Sequence, residues 1–178
     1  MEFAQVVKKR FMCRSYEDRD VPGEVLDRIL DLAVRFPSAG NTQPQEFIVI
    51  ESQETKDQLA RAALDQSYIA EAPVVIAVVS DTRRSKARYG TRGEKFYSIV
   101  DGAFASLLLI LAAVDEGLGA AFVGAFDDDE VREVLGLPNA VRPIGIIPIG
   151  FCAEPPQKVP RFSKEQIIRY ERWQDRTE

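Results

Sequence analysis

From Phe96 to Glu116 the sequence is apolar on nearly every helical face, and between Asp101 and Asp115 it carries no charge. A helix of that kind must be covered all round. Its uncharged part, Gly102 to Val114, is shorter than the roughly 20 apolar residues needed to span a bilayer, so a buried core helix is expected. Gly102, Ala103, Ala105, Ser106, Ala112 and Ala113 let neighbouring helices approach closely, and Gly117 stands where a C-terminal glycine cap belongs. A second constraint is Pro73–Val79, PVVIAVV, a near-continuous β-branched run that marks an interior strand covered on both faces. Such a helix and such a strand in one chain require a layered core.

The remaining elements fit that frame. Phe3–Lys9 predicts a short helix, and a second begins at Pro22, with Val25, Leu26, Ile29, Leu30 and Ala33 at helical spacing. The segment Phe36–Pro44 ends it with two prolines, a glycine and small polar residues. Phe47–Ile50 predicts a strand, Glu54–Leu64 a polar-faced helix, and Asp81–Lys95 a basic, mobile loop. Gly119–Gly124 predicts a small-residue strand, and Asp127 with Glu130 the capped start of a helix that ends near Gly136. Arg142–Gly150 predicts a buried strand whose prolines place it at an edge or a bulge. Beyond Phe151 lies a proline-rich tail and a short helix, Lys164 to about Trp173, capped by Ser163 and Gln166. With no repeat or linker, the whole of 1–178 is expected to form one α+β domain, 155–178 being an arm.

Charge and composition exclude several functions. A net charge of −5 disfavours a general nucleic-acid or anionic-membrane surface. The absence of histidine removes Ser-His-Asp and Cys-His nucleophiles, histidine-ligated metals and any histidine proton shuttle. Cys13 and Cys152 cannot build a disulfide framework, neither lies in a CxxC pair, and a reduced, cytoplasmic setting with inert thiols is expected. The start MEFAQVVKKRF has no signal-peptide core. Asp127–Glu130 fails as a calcium loop, since Arg132 and Pro138 fall on its obligatory glycine and glutamate, and no metal is expected. Gly117-Leu118-Gly119 precedes a strand and has Phe122 at the third glycine of a dinucleotide fingerprint.

What remains is a set of anion-binding and amide-bearing residues. Lys8, Lys9, Arg10 and Arg14 surround the end of the first helix, where arginines on an irregular segment suit bidentate phosphate binding. Asn41 and Gln43 bring side-chain amides to the Pro37–Pro44 loop. The basic run Arg83, Arg84, Lys86, Arg88 and Arg92 reads either as a solvated face or as an entrance for anionic substrates or nicotinamide phosphates.

Together these pieces resemble the nitroreductase family of flavin enzymes along nearly the whole chain. Arg10-Phe11-Met12-Cys13-Arg14-Ser15-Tyr16 is similar to the family's phosphate segment. Pro37-Ser38-Ala39-Gly40-Asn41-Thr42-Gln43-Pro44 followed by Phe47 is similar to its most specific loop. Glu71-Ala72-Pro73, Asp115–Gly119, Gly124–Asp127, Leu135–Pro138 and Arg161 fall in family order. The resemblance implies a three-layer α/β/α sandwich with a mostly antiparallel sheet, and an FMN-dependent oxidoreductase. Such an enzyme passes hydride from NADH or NADPH to a small acceptor, a nitroaromatic or quinone, in ping-pong fashion. It implies that FMN is held by Arg10, Phe11, Met12, Arg14, Pro37, Ser38, Ala39, Asn41, Gln43, Gly124, Ala125 and Arg161. The flavin carries the chemistry, and no dedicated acid–base residue is expected.

Three departures stand out. Phe11 and Met12 replace a polar pair, Gln45 stands where many members have tryptophan, and Asp81–Lys95 is too short for lid helices, leaving the substrate side open. A homodimer with interface sites is expected, because the Phe96–Glu116 helix and the extended tail both need a neighbouring surface. Two other functions compete: a flavin-storing module without turnover, and a specialised flavin dehydrogenase within a partner complex.

Overall fold

A computed structural model describes residues 1–156 and 159–173. Twelve elements follow in order: α1 (Phe3–Lys9), α2 (Gly23–Ala33), β1 (Gln45–Ile50), α3 (Gln53–Ala62), α4 (Tyr68–Glu71), β2 (Val74–Asp81), α5 (Thr82–Arg92), α6 (Ser98–Asp115), β3 (Gly119–Ala120), α7 (Asp128–Val134), β4 (Val141–Gly150) and α8 (Lys164–Ile167). The four strands form one antiparallel sheet in the order β1-β2-β4-β3. Alternation along β2 divides the core. Val74, Ile76 and Val78 face α2 and α6, whereas Val75 and Ala77 face the layer of α3, α4 and α7. This is the three-layer α+β architecture expected from the sequence.

The prolines of β4 mark a bulge. Val78 pairs with Gly145 and Val79 with Pro143, so Ile144 is the extra residue. Gly102 of α6 packs against that residue: a Cβ there would lie 2.7 Å from Ile144 Cγ2. Gly117, at φ +84°, ends α6, and the Leu118 amide returns to the Ala113 carbonyl at 2.9 Å, as a glycine cap requires. The helical run Thr82–Asp115 is long and apolar enough, by length and composition alone, to cross a membrane. Just over half of that apolar window is buried within the chain. Burial of α6 is nevertheless incomplete. Phe104 is 46% and Leu107 50% exposed, so one chain does not enclose the helix on every side.

Several sequence expectations are corrected. The basic segment after β2 is not a loop but α5, broken at Gly90 and followed by a π-turn, Gly93–Tyr97, that runs into α6. It lacks apolar periodicity and is held by polar contacts instead: the Asp81 carboxylate caps it through the Arg83 amide at 3.1 Å. Arg83 also grips Asp81 with two guanidinium nitrogens at 2.8 and 2.7 Å, which holds the carboxyl below the usual carboxylate range. The strand expected over Gly119–Gly124 shrinks to β3, with Val123 adding a single bridge to Ile146. The capping box of Ser163 and Gln166 is present, but α8 stops at Ile167 because Ile168 is extended. Positions 157–158 and 174–178 of the expected arm lie outside the described residues.

The cysteines are also corrected. Cys13 and Cys152 are joined in a disulfide, with their Cα atoms 6.1 Å apart, and neither is a free thiol. The case for a reduced setting rested on unpaired cysteines and loses that support.

Candidate functional site

The first half of the site is the segment after α1. Arg10–Tyr16 is threaded between two strands: Met12 bridges Ala120 of β3, Tyr16 bridges Cys152, and the Cys13 amide bonds the Ala120 carbonyl at 3.2 Å. The Tyr16 hydroxyl donates to the Cys13 carbonyl at 2.8 Å and the Pro148 carbonyl at 3.1 Å, and burial pushes its pKa far up. In this extended run alternate residues face opposite ways. Phe11 lines a cleft of about 450 Å³ with Lys9, Gly119 and Cys152. Met12 and Arg14 meet other groups. Met12 Sδ accepts the Phe122 amide at 3.3 Å.

Arg14 is exposed, with its guanidinium 6.0 Å from the Tyr68 ring centre. The Tyr68 hydroxyl donates to Gln66 Oε1 at 2.7 Å, and Gln66 Nε2 donates to the Ala125 carbonyl at 3.1 Å. Arg14 is thereby linked to exposed Gly124 and Ala125, and the segment expected to hold phosphate lies beside the amides expected at the ring. Arg10 is half-buried at the end of α1. Two guanidiniums on a braced backbone suit a phosphate monoester. Tyr68 and Gln66 were missed from sequence because neither lies in a recognisable motif.

The second half is the loop before β1. Gly40, Asn41 and Gln43 have φ of +54°, +54° and +45°, a left-handed run that costs of order 1–3 kcal/mol at each non-glycine position. Contacts from three directions hold it. Ser38 Oγ accepts the Gln43 amide at 2.9 Å, and Thr42 Oγ1 donates to the Ala39 carbonyl at 3.1 Å. From α5, Arg88 donates to the Gly40 carbonyl and Arg84 to the Gln43 carbonyl, both at 2.8 Å. From α6, Asp101 Oδ1 accepts the Ala39 amide at 3.0 Å. Asn41 and Gln43 are exposed and joined to each other, Gln43 Nε2 donating to Asn41 Oδ1 at 2.8 Å. Pro37 is exposed beside them.

Gln45 adds no aromatic surface here, but borders a cleft beside Gln43 and Arg84. It is buried, with Nε2 donating to the Ser98 carbonyl at 3.1 Å. The basic residues of α5 are not a free cationic entrance either. Arg84 pairs with Glu46, Lys86 with Glu94 at 3.1 Å, and Arg92 lies over the rings of Phe96 and Tyr97.

Within one chain the two halves do not meet. The loop hangs on Asp101 near the start of α6 and precedes edge strand β1. The Arg10–Tyr16 segment lies by the far end of α6, against β3 at the opposite edge. At 1.5 Å per residue, Asp101 and Asp115 are about 21 Å apart along α6. Arg161 joins neither half. Its guanidinium donates to the Val159 and Pro160 carbonyls at 3.3 and 3.1 Å. No cluster of metal-ligating side chains occurs among the described residues.

The layered α+β fold thus presents an arginine-bearing segment and an amide-bearing loop at opposite ends of its central helix. The chain belongs to the nitroreductase family, whose model matches residues 7–71 and 65–151. It is 31% identical to a Thermus thermophilus protein named NADH dehydrogenase, over 90% of this chain and 91% of that protein. It is 30% identical to the Bacillus subtilis FMN reductase [NAD(P)H], over 93% of this chain and 72% of that one. A solved nitroreductase family protein from Clostridium difficile superposes with a TM-score of 0.86 at 32% identity, over 97% of this chain and all of that one.

Proposed function

We propose that this chain is an FMN-dependent NAD(P)H oxidoreductase acting as a homodimer, each flavin site assembled from the Arg10–Arg14 segment of one subunit and the Pro37–Gln43 loop of the other. The observation that carries the proposal is the separation of the two halves along α6: each chain offers both, and neither is a complete site. The exposed faces of Phe104 and Leu107 on the same helix, and the exposed Phe162, Tyr170 and Trp173 of the arm, supply apolar surface for a symmetric partner.

Bound FMN supplies the hydride chemistry between NADH or NADPH and a small acceptor, a nitroaromatic or quinone, in a ping-pong cycle. Arg10 and Arg14 bind the phosphate, with Phe11 and Met12 contributing backbone; Arg161 of the arm, which joins neither half within one chain, reaches the phosphate only in the assembled dimer. Ser38 and Ala39 give the loop its shape, while Asn41 and Gln43 present amides to the ring. Gly124 and Ala125 let their backbone approach it closely. With no histidine in the chain, solvent or acceptor provides protons.

The test is anaerobic titration of the yellow protein with NADH and with NADPH, followed by a panel of acceptors. Flavin bleaching and reoxidation are expected; a flavin that stays oxidised would favour storage. Sedimentation at low micromolar concentration, read at flavin absorbance, tests the shared site. A species near the 19.9 kDa chain mass carrying stoichiometric FMN would refute it.

A further inference from the structure

Asp101 is an anomaly in α6. It is 2% exposed, no cation contacts it among the described residues, and burial pushes its carboxyl up from the ordinary range. Oδ1 is committed to the Ala39 amide, and Oδ2 is buried without a partner among the described residues. A bare buried oxygen is costly, so the position needs a return elsewhere. The contacts around the loop locate one. Arg88 and Arg84 draw two carbonyls of the loop toward α5, and Asp101 alone draws an amide toward α6. Opposed pulls on neighbouring peptide groups fix their planes, and that is what a left-handed run at Gly40, Asn41 and Gln43 requires to persist.

We propose that Asp101 is the positioning residue of the flavin loop: by holding the Ala39 amide it sets the directions in which Asn41 and Gln43 offer their side-chain amides to the isoalloxazine ring. This role rests on the FMN reading above. It acts on the ring end of the ligand, far from Arg10 and Arg14, and so has a signature that loss of phosphate binding lacks.

The experiment measures FMN and riboflavin affinity by fluorescence quenching in the native protein and in Asp101→Ala, Asp101→Asn and Ala39→Pro variants, together with bound-flavin absorption spectra. Ala39→Pro removes the donated proton while keeping the sequence of α6, its ring displacing Asp101 Oδ1 from the loop, and the extended Ser38 before it (φ −140°, ψ 152°) is compatible with a following proline. Asp101→Ala and Ala39→Pro should each lose about tenfold in affinity, equally for FMN and riboflavin, with altered spectra. Asp101→Asn, which keeps an acceptor oxygen, should recover most of the loss. Should Asp101→Ala fail to fold, Ala39→Pro decides alone. Native affinities and spectra in the variants would overturn this role and leave the FMN reading intact. A native protein that binds no flavin would overturn both.

Discussion

Gly102→Ala sets two known effects against each other, and the structure decides between them. Alanine is better than glycine inside a helix by about 0.8–1.0 kcal/mol, so on propensity alone the change stabilises. The new methyl, however, would lie 2.7 and 2.9 Å from the Cγ2 and Cγ1 atoms of Ile144 and 3.2 Å from its Cβ. These atoms are close to the backbone of a β-branched side chain with restricted χ1, and Ile144 sits at the β4 bulge, so the clash cannot be relieved by swinging a side-chain tip. Overpacking of this kind costs about 1–3 kcal/mol. The net expectation is a destabilisation of about 1 kcal/mol. In an Ile144→Ala background the clash is gone, and the same Gly102→Ala change should stabilise by about 1 kcal/mol. Urea unfolding of the four proteins, at one protein concentration, closes the cycle with a coupling of about 2 kcal/mol. A coupling near zero would refute the claim that Ile144 is the reason for glycine at 102.

Other perturbations probe the site and its frame. Arg10→Ala and Arg14→Ala should each weaken FMN binding by about 10- to 100-fold without unfolding the protein; unchanged affinity in both removes them from the phosphate site. Cys13→Ser with Cys152→Ser should retain hydride transfer when FMN-loaded, because no base activates either sulfur. The sequence separation of 139 residues sets an entropic loss of about 5 kcal/mol as the upper estimate for breaking their link. Reductant should lower the urea midpoint of the native protein and leave the double variant unmoved, and the reverse pattern counts against the disulfide. Asp81→Ala removes the cap of α5 and should cost about 1–2 kcal/mol at neutral pH. Because Arg83 holds the Asp81 carboxyl below the usual range, its stabilisation is full above the unfolded value and is lost as pH falls through the folded one. The gap between native and variant stability should therefore close as the pH drops below about 4; a gap independent of pH would rule out the ion pair as its source.

What could be read from the sequence was whatever left a hydrophobic period or a local cap. The β2 run, the face of α2, the Gly117 stop and the Asp127 cap all act within a few residues, and all are found. The contribution of α5 could not be seen that way. Its stability comes from Asp81, from Glu46 across the sheet edge, and from carbonyls of the loop it buttresses, none of which leaves an apolar stripe. The Cys13–Cys152 link spans a separation that carries no spacing signal. Asp101 was visible only as the boundary of an uncharged stretch; that it reaches the Ala39 amide depends on how α6 crosses the loop. The loop motif pointed to the Pro37–Gln43 segment, but not to the three left-handed positions that shape it.

The pairing of Arg10–Tyr16 with Phe151–Ala153 has a consequence for the order of events during synthesis. Ser15, Tyr16 and Glu17 are pinned by Ala153, Cys152 and Phe151, so the earlier segment obtains its frame from residues that leave the ribosome much later. At roughly 5–20 residues per second, Arg14 waits about 7–28 seconds for Cys152 to be made. A nascent chain halted before β4 has Ala120 as a partner for Met12 and Cys13 but lacks Phe151, Cys152 and Ala153, the partners of Ser15, Tyr16 and Glu17. On the proposed role of Arg10 and Arg14, flavin capture awaits synthesis of Phe151–Ala153 rather than emergence of the two arginines.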